Sequence, residues 1–266
     1  MSDDIRLIKQ CKMGRDADLF LSPESGFWAD CPVPRVDPEK SCYQVFDDFE
    51  TLRVGATTGM WTLDNTNGSI VLVSAEATTG LSGIAKMGTD GSLAEDFAHL
   101  KATSTNTGAP FKITTSNGKK LWYAIRFYVS SVTDCSYYFG LCDEAMTESG
   151  IDNTGAENFG DGVYFRTING SPTEIDWAHA KNNTETEVKG AIATLAITTW
   201  NTLGFYFDGV SAVIPYVNGV KQDYQVNTGA TNFPGDQGLT PFFYVKEGAG
   251  TATYIYVDWI KCVQIR

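Results

Sequence analysis

The chain has 266 residues, 42% hydrophobic and 12% aromatic, and its 20 Lys and Arg against 32 Asp and Glu give a formal charge of −12. This composition supports an ordered core rather than disorder, and the aromatics favour strands over helices. The acidic balance and the lack of a basic stripe argue against a sequence-independent nucleic-acid binder, which relies on cations to release counterions. No stretch reaches the roughly 18 apolar residues of a membrane span.

Residues 1–42 differ from the rest. They contain Pro23, Pro32, Pro34 and Pro38 and sustain neither the strand nor the helix period, so they read as an extended N-terminal arm. No apolar leader core follows Met1, so synthesis in a cytoplasm is expected, and the sequons at Asn67, Asn169 and Asn182 then carry no meaning. The arm still carries Leu19, Phe20, Leu21, Phe27 and Trp28. Apolar side chains on an irregular segment dock onto something, either a partner or the arm's own domain.

From Tyr43 to Arg266 the chain alternates short apolar runs with Asn-Gly and Asp-Gly turns, among them Asn67-Gly68, Asp90-Gly91, Asp208-Gly209 and Asn218-Gly219. These pairs tolerate the positive φ angles that tight hairpins need. A short helix is expected near Leu93–Leu100. Leu121–Val129 has period 2, with Leu121, Tyr123, Ile125, Phe127 and Val129 on one face. Cys135 and Cys142 flank a tyrosine-rich strand, and further strands are expected at 163–167, 203–207, 212–217, 241–246 and 253–265. Pro215 within one of them implies an edge, a bulge or a strand start. So many antiparallel strands must stack to bury their apolar faces, which predicts an all-β, two-sheet antiparallel jelly-roll sandwich over 43–266.

Cysteines stand at 11, 31, 42, 135, 142 and 262 without CxxC spacing, and His99 and His179 complete no zinc pattern. Structural thiols are expected, with no cofactor.

The order of motifs carries a resemblance. Asp47-Asp48-Phe49 and Trp61 open the domain, Gly118-Lys119-Lys120-Leu121-Trp122 leads into the long strand, and Asp161-Gly162-Val163-Tyr164-Phe165-Arg166 follows. Trp200-Asn201-Thr202-Leu203-Gly204-Phe205, Asn218-Gly219 and the terminal Val257-Asp258-Trp259-Ile260 complete it. The pattern resembles the concanavalin A-like (laminin-G-like) sandwich of tailed-phage structural proteins, including capsid decoration and head-fibre proteins. The resemblance implies a non-enzymatic virion protein on the outer surface of a capsid. Its partners would be the major capsid protein and further copies of itself, as a dimer or trimer, with no nucleic acid or membrane, and the arm as docking element. The alternative is a carbohydrate-binding module of a head or tail fibre that attaches to a host glycan, and a weaker one is a glycosidase-derived domain.

Glycosidases on this fold carry Glu-x-Asp-x-Glu or Glu-x-Asp-x-x-Glu on one strand. Here Glu174-Ile175-Asp176-Trp177-Ala178-His179 supplies the first two carboxylates but has Ala178 or His179 where the acid belongs. Without that acid the leaving group is not protonated, so no hydrolysis is expected. Asp143, Glu144, Asp152, Asn153, Asp161 and Asp208 are oxygen donors of the kind calcium takes, but no spacing fixes them together. Trp61, Trp122, Trp177, Trp200 and Trp259 are either core or sugar-stacking platforms.

Overall fold

The computed structural model describes Phe27, Trp28, Cys31 and residues 42–55, 59–73, 83–102, 109–116, 118–143, 160–168 and 170–266. Its strands are β1 Cys42–Asp47, β2 Thr62–Thr66, β3 Gly68–Val73, β4 Ile84–Thr89, β5 Phe97–Lys101, β6 Leu121–Val129, β7 Cys135–Cys142 and β8 Gly162–Ile168. They continue with β9 Ser171–Lys181, β10 Thr184–Thr194, β11 Asn201–Phe207, β12 Ala212–Val217, β13 Val220–Lys221, β14 Val226–Asn227, β15 Thr240–Glu247 and β16 Tyr254–Ile265.

Two antiparallel sheets stack into a concanavalin A-like jelly-roll sandwich. The larger, of nine strands, runs β13-β12-β11-β6-β16-β4-β3, with β1 also on β16 and β14 on β12. The smaller, of seven, runs β10-β9-β8-β7-β15-β5-β2. Alternation sends Leu121, Tyr123, Ile125, Phe127 and Val129 of β6 inward to meet Tyr137, Phe139 and Leu141 of β7. Phe127 stacks on Phe139 with centroids 4.0 Å apart, and Trp177 meets Phe205 at 5.3 Å. Each such ring contributes roughly 1.5–3 kcal/mol by leaving water. The corner after β1 is fixed by Asp47, whose carboxylate accepts from Trp61 Nε1 (2.6 Å) and from the Phe49 N–H (2.8 Å).

The turns follow their residues: Asn218 and Gly219 sit at φ 49° and 80° between β12 and β13. Pro215 lies opposite Phe205, and on the other side of β12 it falls between the stretches paired with β14 and β13, where a missing N–H disturbs no ladder.

The helix expected near Leu93–Leu100 is not there. Leu93 is exposed, and Phe97–Lys101 is the strand β5, between β15 and β2. Ala98 and Leu100 face the core while Phe97, His99 and Lys101 are buried on the opposite side. A strand buried on both faces loses the polar alternation that marks a strand in sequence. Among the described residues there is no helix, and so none that could cross a membrane.

Candidate functional site

The outer face of the smaller sheet is built by register. One row crosses it from Asp64 through His99, Tyr244, Tyr138 and Arg166 to Asp176. The next runs from Thr62 through Lys101, Phe242, Gly140, Tyr164 and Ala178 to Glu187. Its middle is aromatic and buried: Tyr138 stands edge-on to Tyr244 (5.8 Å, 90°), and Phe97 stacks on Tyr244 (5.8 Å). Gly140 is required here, since a Cβ would lie 2.4 Å from the Val163 carbonyl oxygen.

His99 has no exposed surface, and neither ring nitrogen has a hydrogen-bond partner. Burial, with Lys101 adding to it, holds its pKa down at about 3, so the ring is neutral. Lys101 itself pairs with Asp64 at 3.5 Å.

Toward β10 the row ends in charge. Arg166 has a side chain only 7% exposed and reaches Glu185 Oε1 at 2.7 Å, Glu187 at 3.5 Å and Asp176 at 3.9 Å. Tyr164 donates to the other oxygen of Glu185 at 2.6 Å, and the Ala191 N–H donates to Asp176 at 2.9 Å. The glutamates come from the β9–β10 hairpin, whose turn residues Asn182 and Asn183 both sit at positive φ (50° and 62°). Glu187 is 48% exposed at its side chain and Glu174 is exposed, so this margin opens to water while the aromatic centre does not. The margin offers carboxylate acceptors and a guanidinium on one surface, the groups that bind hydroxyls.

Glu174 and Asp176 do point outward together, on either side of the core residue Ile175. Ala178 continues their face. His179 points the other way, its Nδ1 2.9 Å from the Asn232 carbonyl oxygen and its ring against Phe233. Neither position after Asp176 therefore offers a proton donor beside the carboxylates.

Of the oxygen donors, Asp143 and Asp161 are brought together. Asp143 accepts from the Asp161 N–H (3.1 Å), and Asp161 accepts from the Asn182 N–H (2.6 Å) and leaves its other oxygen buried without a partner. Asp208 instead caps its own turn, accepting from the N–H groups of Val210, Ser211 and Ala212. Glu144, Asp152 and Asn153 lie outside the described residues. Calcium takes six to eight oxygens. Among the described residues no group of three or more His, Cys, Asp or Glu side chains is placed to hold a metal ion.

The arm is represented by Phe27, Trp28 and Cys31, and Leu19, Phe20 and Leu21 lie outside the described residues. Phe27 is buried on the outer face of the larger sheet, 4.6 Å from Tyr216 and 5.0 Å from Trp28, in a cluster with Trp122, Ala124 and Trp259. At these positions the arm packs on its own domain. Cys31, Cys42, Cys135, Cys142 and Cys262 are buried thiols, and burial pushes Cys31 up to about 12. Trp61, Trp122 and Trp177 are buried, whereas Trp200 is half-buried beneath the Arg126 guanidinium at 4.5 Å.

The sequence matches no protein-family model and no curated protein. Among solved structures the chain is similar to a protein of unknown function from Shewanella oneidensis MR-1 (TM-score 0.57, 16% identity, 86% of this chain and 89% of that one). It is also similar to peanut lectin (0.56, 12%, 84% and 97%) and to the Bacillus licheniformis β-glucanase (0.52, 13%, 82% and 96%). At these identities the likeness is one of fold.

Proposed function

We propose that the chain is a carbohydrate-binding module that holds a glycan at the β8–β10 margin without hydrolysing it. The observation that carries this reading is the half-open cluster of Glu187, Asp176 and Arg166 backed by Tyr164, with alanine where a glycosidase has its acid. Similarity of fold to a lectin and a glucanase supports it without deciding between binding and cleavage. The test is an oligosaccharide array followed by calorimetry, with calcium and with chelator. Glu187→Gln should weaken any bound glycan about tenfold, equivalent to ~1.4 kcal/mol. Unchanged affinity would remove the margin from the site, and reducing sugar released from laminarin or mixed-linkage glucan would overturn the non-enzymatic part.

A second reading makes the same sandwich a capsid decoration (cement) protein on the outside of a tailed-phage head, bound to the major capsid protein and to copies of itself. What favours it is the arm's composition, with Leu19, Phe20 and Leu21 among prolines in a chain of net charge −12. Anchors of this kind dominate interface energetics, and binding only the assembled shell would stabilise it. Deleting the whole arm would also strip Phe27 from Trp122 and Tyr216. The cleaner test is to change Leu19, Phe20 and Leu21 to Ser, keep Phe27 and Trp28, and measure occupancy on purified capsids. Occupancy should fall sharply with melting unchanged, and undiminished occupancy would reject the arm as anchor.

A further inference from the structure

At one end of the sandwich a side-chain hydrogen bond joins the two sheets. Thr89, the last residue of β4 in the larger sheet, donates its hydroxyl to Glu247 Oε2, at the end of β15 in the smaller sheet, at 2.8 Å. The same hydroxyl oxygen accepts from the Thr253 N–H at 3.2 Å. Glu247 has no exposed surface, and its Oε1 is buried without a hydrogen-bond partner.

Its charged neighbours are acids. Asp96, before β5, is buried and accepts from Asn67 Nδ2 (3.0 Å), Ser92 Oγ (3.3 Å) and the Leu93 N–H (3.1 Å). Asp90, after β4, accepts from the Ser92 N–H at 2.9 Å. The backbone holds the Asp96 segment against Glu247, since the Glu247 N–H donates to the Asp96 carbonyl (3.0 Å) and the Glu95 N–H donates to the Glu247 carbonyl (3.2 Å). Lys246 points to the opposite side of β15 and pairs with Glu95 at 2.5 Å. Asp134 contributes its backbone carbonyl, which accepts from the Gly248 N–H. Among the described residues no cation pairs with Glu247.

We propose that this rim is a pH-sensitive seam: a protonated Glu247 ties the two sheets together through Thr89, and its ionisation beside Asp96 and Asp90 loosens them. A neutral carboxyl still accepts from Thr89, whereas the ionised form leaves a buried charge with one hydroxyl donor and two acidic neighbours, the costlier state. Burial first, then Asp96 and Asp90, raise its pKa above a glutamate's ordinary 4.5, against the lowering effect of the Thr89 bond. A folded-state pKa above the unfolded one contributes stability that is fully present below 4.5 and is lost as pH rises through the folded value. The seam is therefore tightest in mild acid.

The test compares melting of the wild type and Glu247→Gln between pH 4.5 and 9. Glutamine keeps an acceptor for Thr89 and cannot ionise. Glu247→Gln should melt within a degree of the wild type at pH 4.5 and several degrees above it at pH 8. Titrating groups that do not interact with Glu247 act on both proteins and cancel in the difference. Carbon-13 titration of the side-chain carboxyl, assigned by its loss in Glu247→Gln, should place Glu247 above 4.5 in the wild type, and Asp90→Asn should lower that midpoint. A Glu247 midpoint at or below 4.5 would overturn the proposal, as would a Glu247→Gln protein that melts below the wild type at pH 8. A midpoint unmoved by Asp90→Asn would overturn the part assigned to the acidic neighbours.

Discussion

The two outer faces of the sandwich are both rich in aromatics, but their charged groups are arranged differently. On the smaller sheet, Asp64, Asp176, Glu185 and Glu187 face Lys101 and Arg166, around a centre of Tyr138, Tyr164, Phe242 and Tyr244 that water does not reach. On the larger sheet cations lie over rings: Lys86 is 3.7 Å from the Tyr254 centroid, Arg126 is 4.5 Å from Trp200, and Lys261 is 4.8 Å from Trp259 and 4.7 Å from Phe46. Asp258, beside a bulge in β16, answers Arg126. A chain of net charge −12 thus places a good part of its positive charge on one face and leaves the other acidic at its margin. Burial alone does not mark a face as core or site; the sign and exposure of its charged border do.

If the smaller sheet's outer face is packed like an interior, Phe242→Ala should cost as much as Phe127→Ala in the core between the sheets, about 3–5 kcal/mol by chemical denaturation. A cost below about 1 kcal/mol would show the face to be loosely covered. His99 probes the same face by pH. Its folded pKa near 3 lies below the ordinary 6.5, so its stabilising contribution is present above 6.5 and is lost as pH falls toward 3. His99→Phe should flatten that acid limb, which is worth on the order of 4 kcal/mol at its full extent. On the larger sheet, Arg126→Lys keeps the charge and loses the planar contact with Trp200, and should cost about 1 kcal/mol, less in high salt. Phe46 is 51% exposed, and Phe46→Ser should change stability by no more than about 0.5 kcal/mol. A larger loss would mean that the cation–ring contacts hold this face as firmly as packing holds the other.

Much of the fold was legible because turns and period 2 are local. Leu121–Val129 occupies the strand its alternation predicts, Ala212–Val217 is a strand as expected, and Asn218-Gly219 makes the hairpin its chemistry favours. β5 was not legible, since Phe97–Lys101 is buried on both faces and a Leu-to-Leu spacing of seven mimics a helix. The β9–β10 hairpin was missed because its turn, Asn182-Asn183, lacks the glycine that marked the others. The site depends on that hairpin. Arg166 meets Asp176, Glu185 and Glu187 only through register, which no single strand's sequence specifies. The alternation of Glu185 and Glu187 in a Thr- and Glu-rich run was the one available signal. The glycosidase-like Glu174 and Asp176 were legible as a pair, and so were Ala178 and His179 further along the same strand.

Glycan binding at the β8–β10 margin is open to direct test by titrating amide-labelled protein with the tightest oligosaccharide found on an array. Shift changes should concentrate at Tyr164–Arg166, around Asp176, and at Glu185 and Glu187, and should be lost in Glu187→Gln. Changes gathered instead at Trp200, Tyr254 and Phe46 on the larger sheet would contradict it.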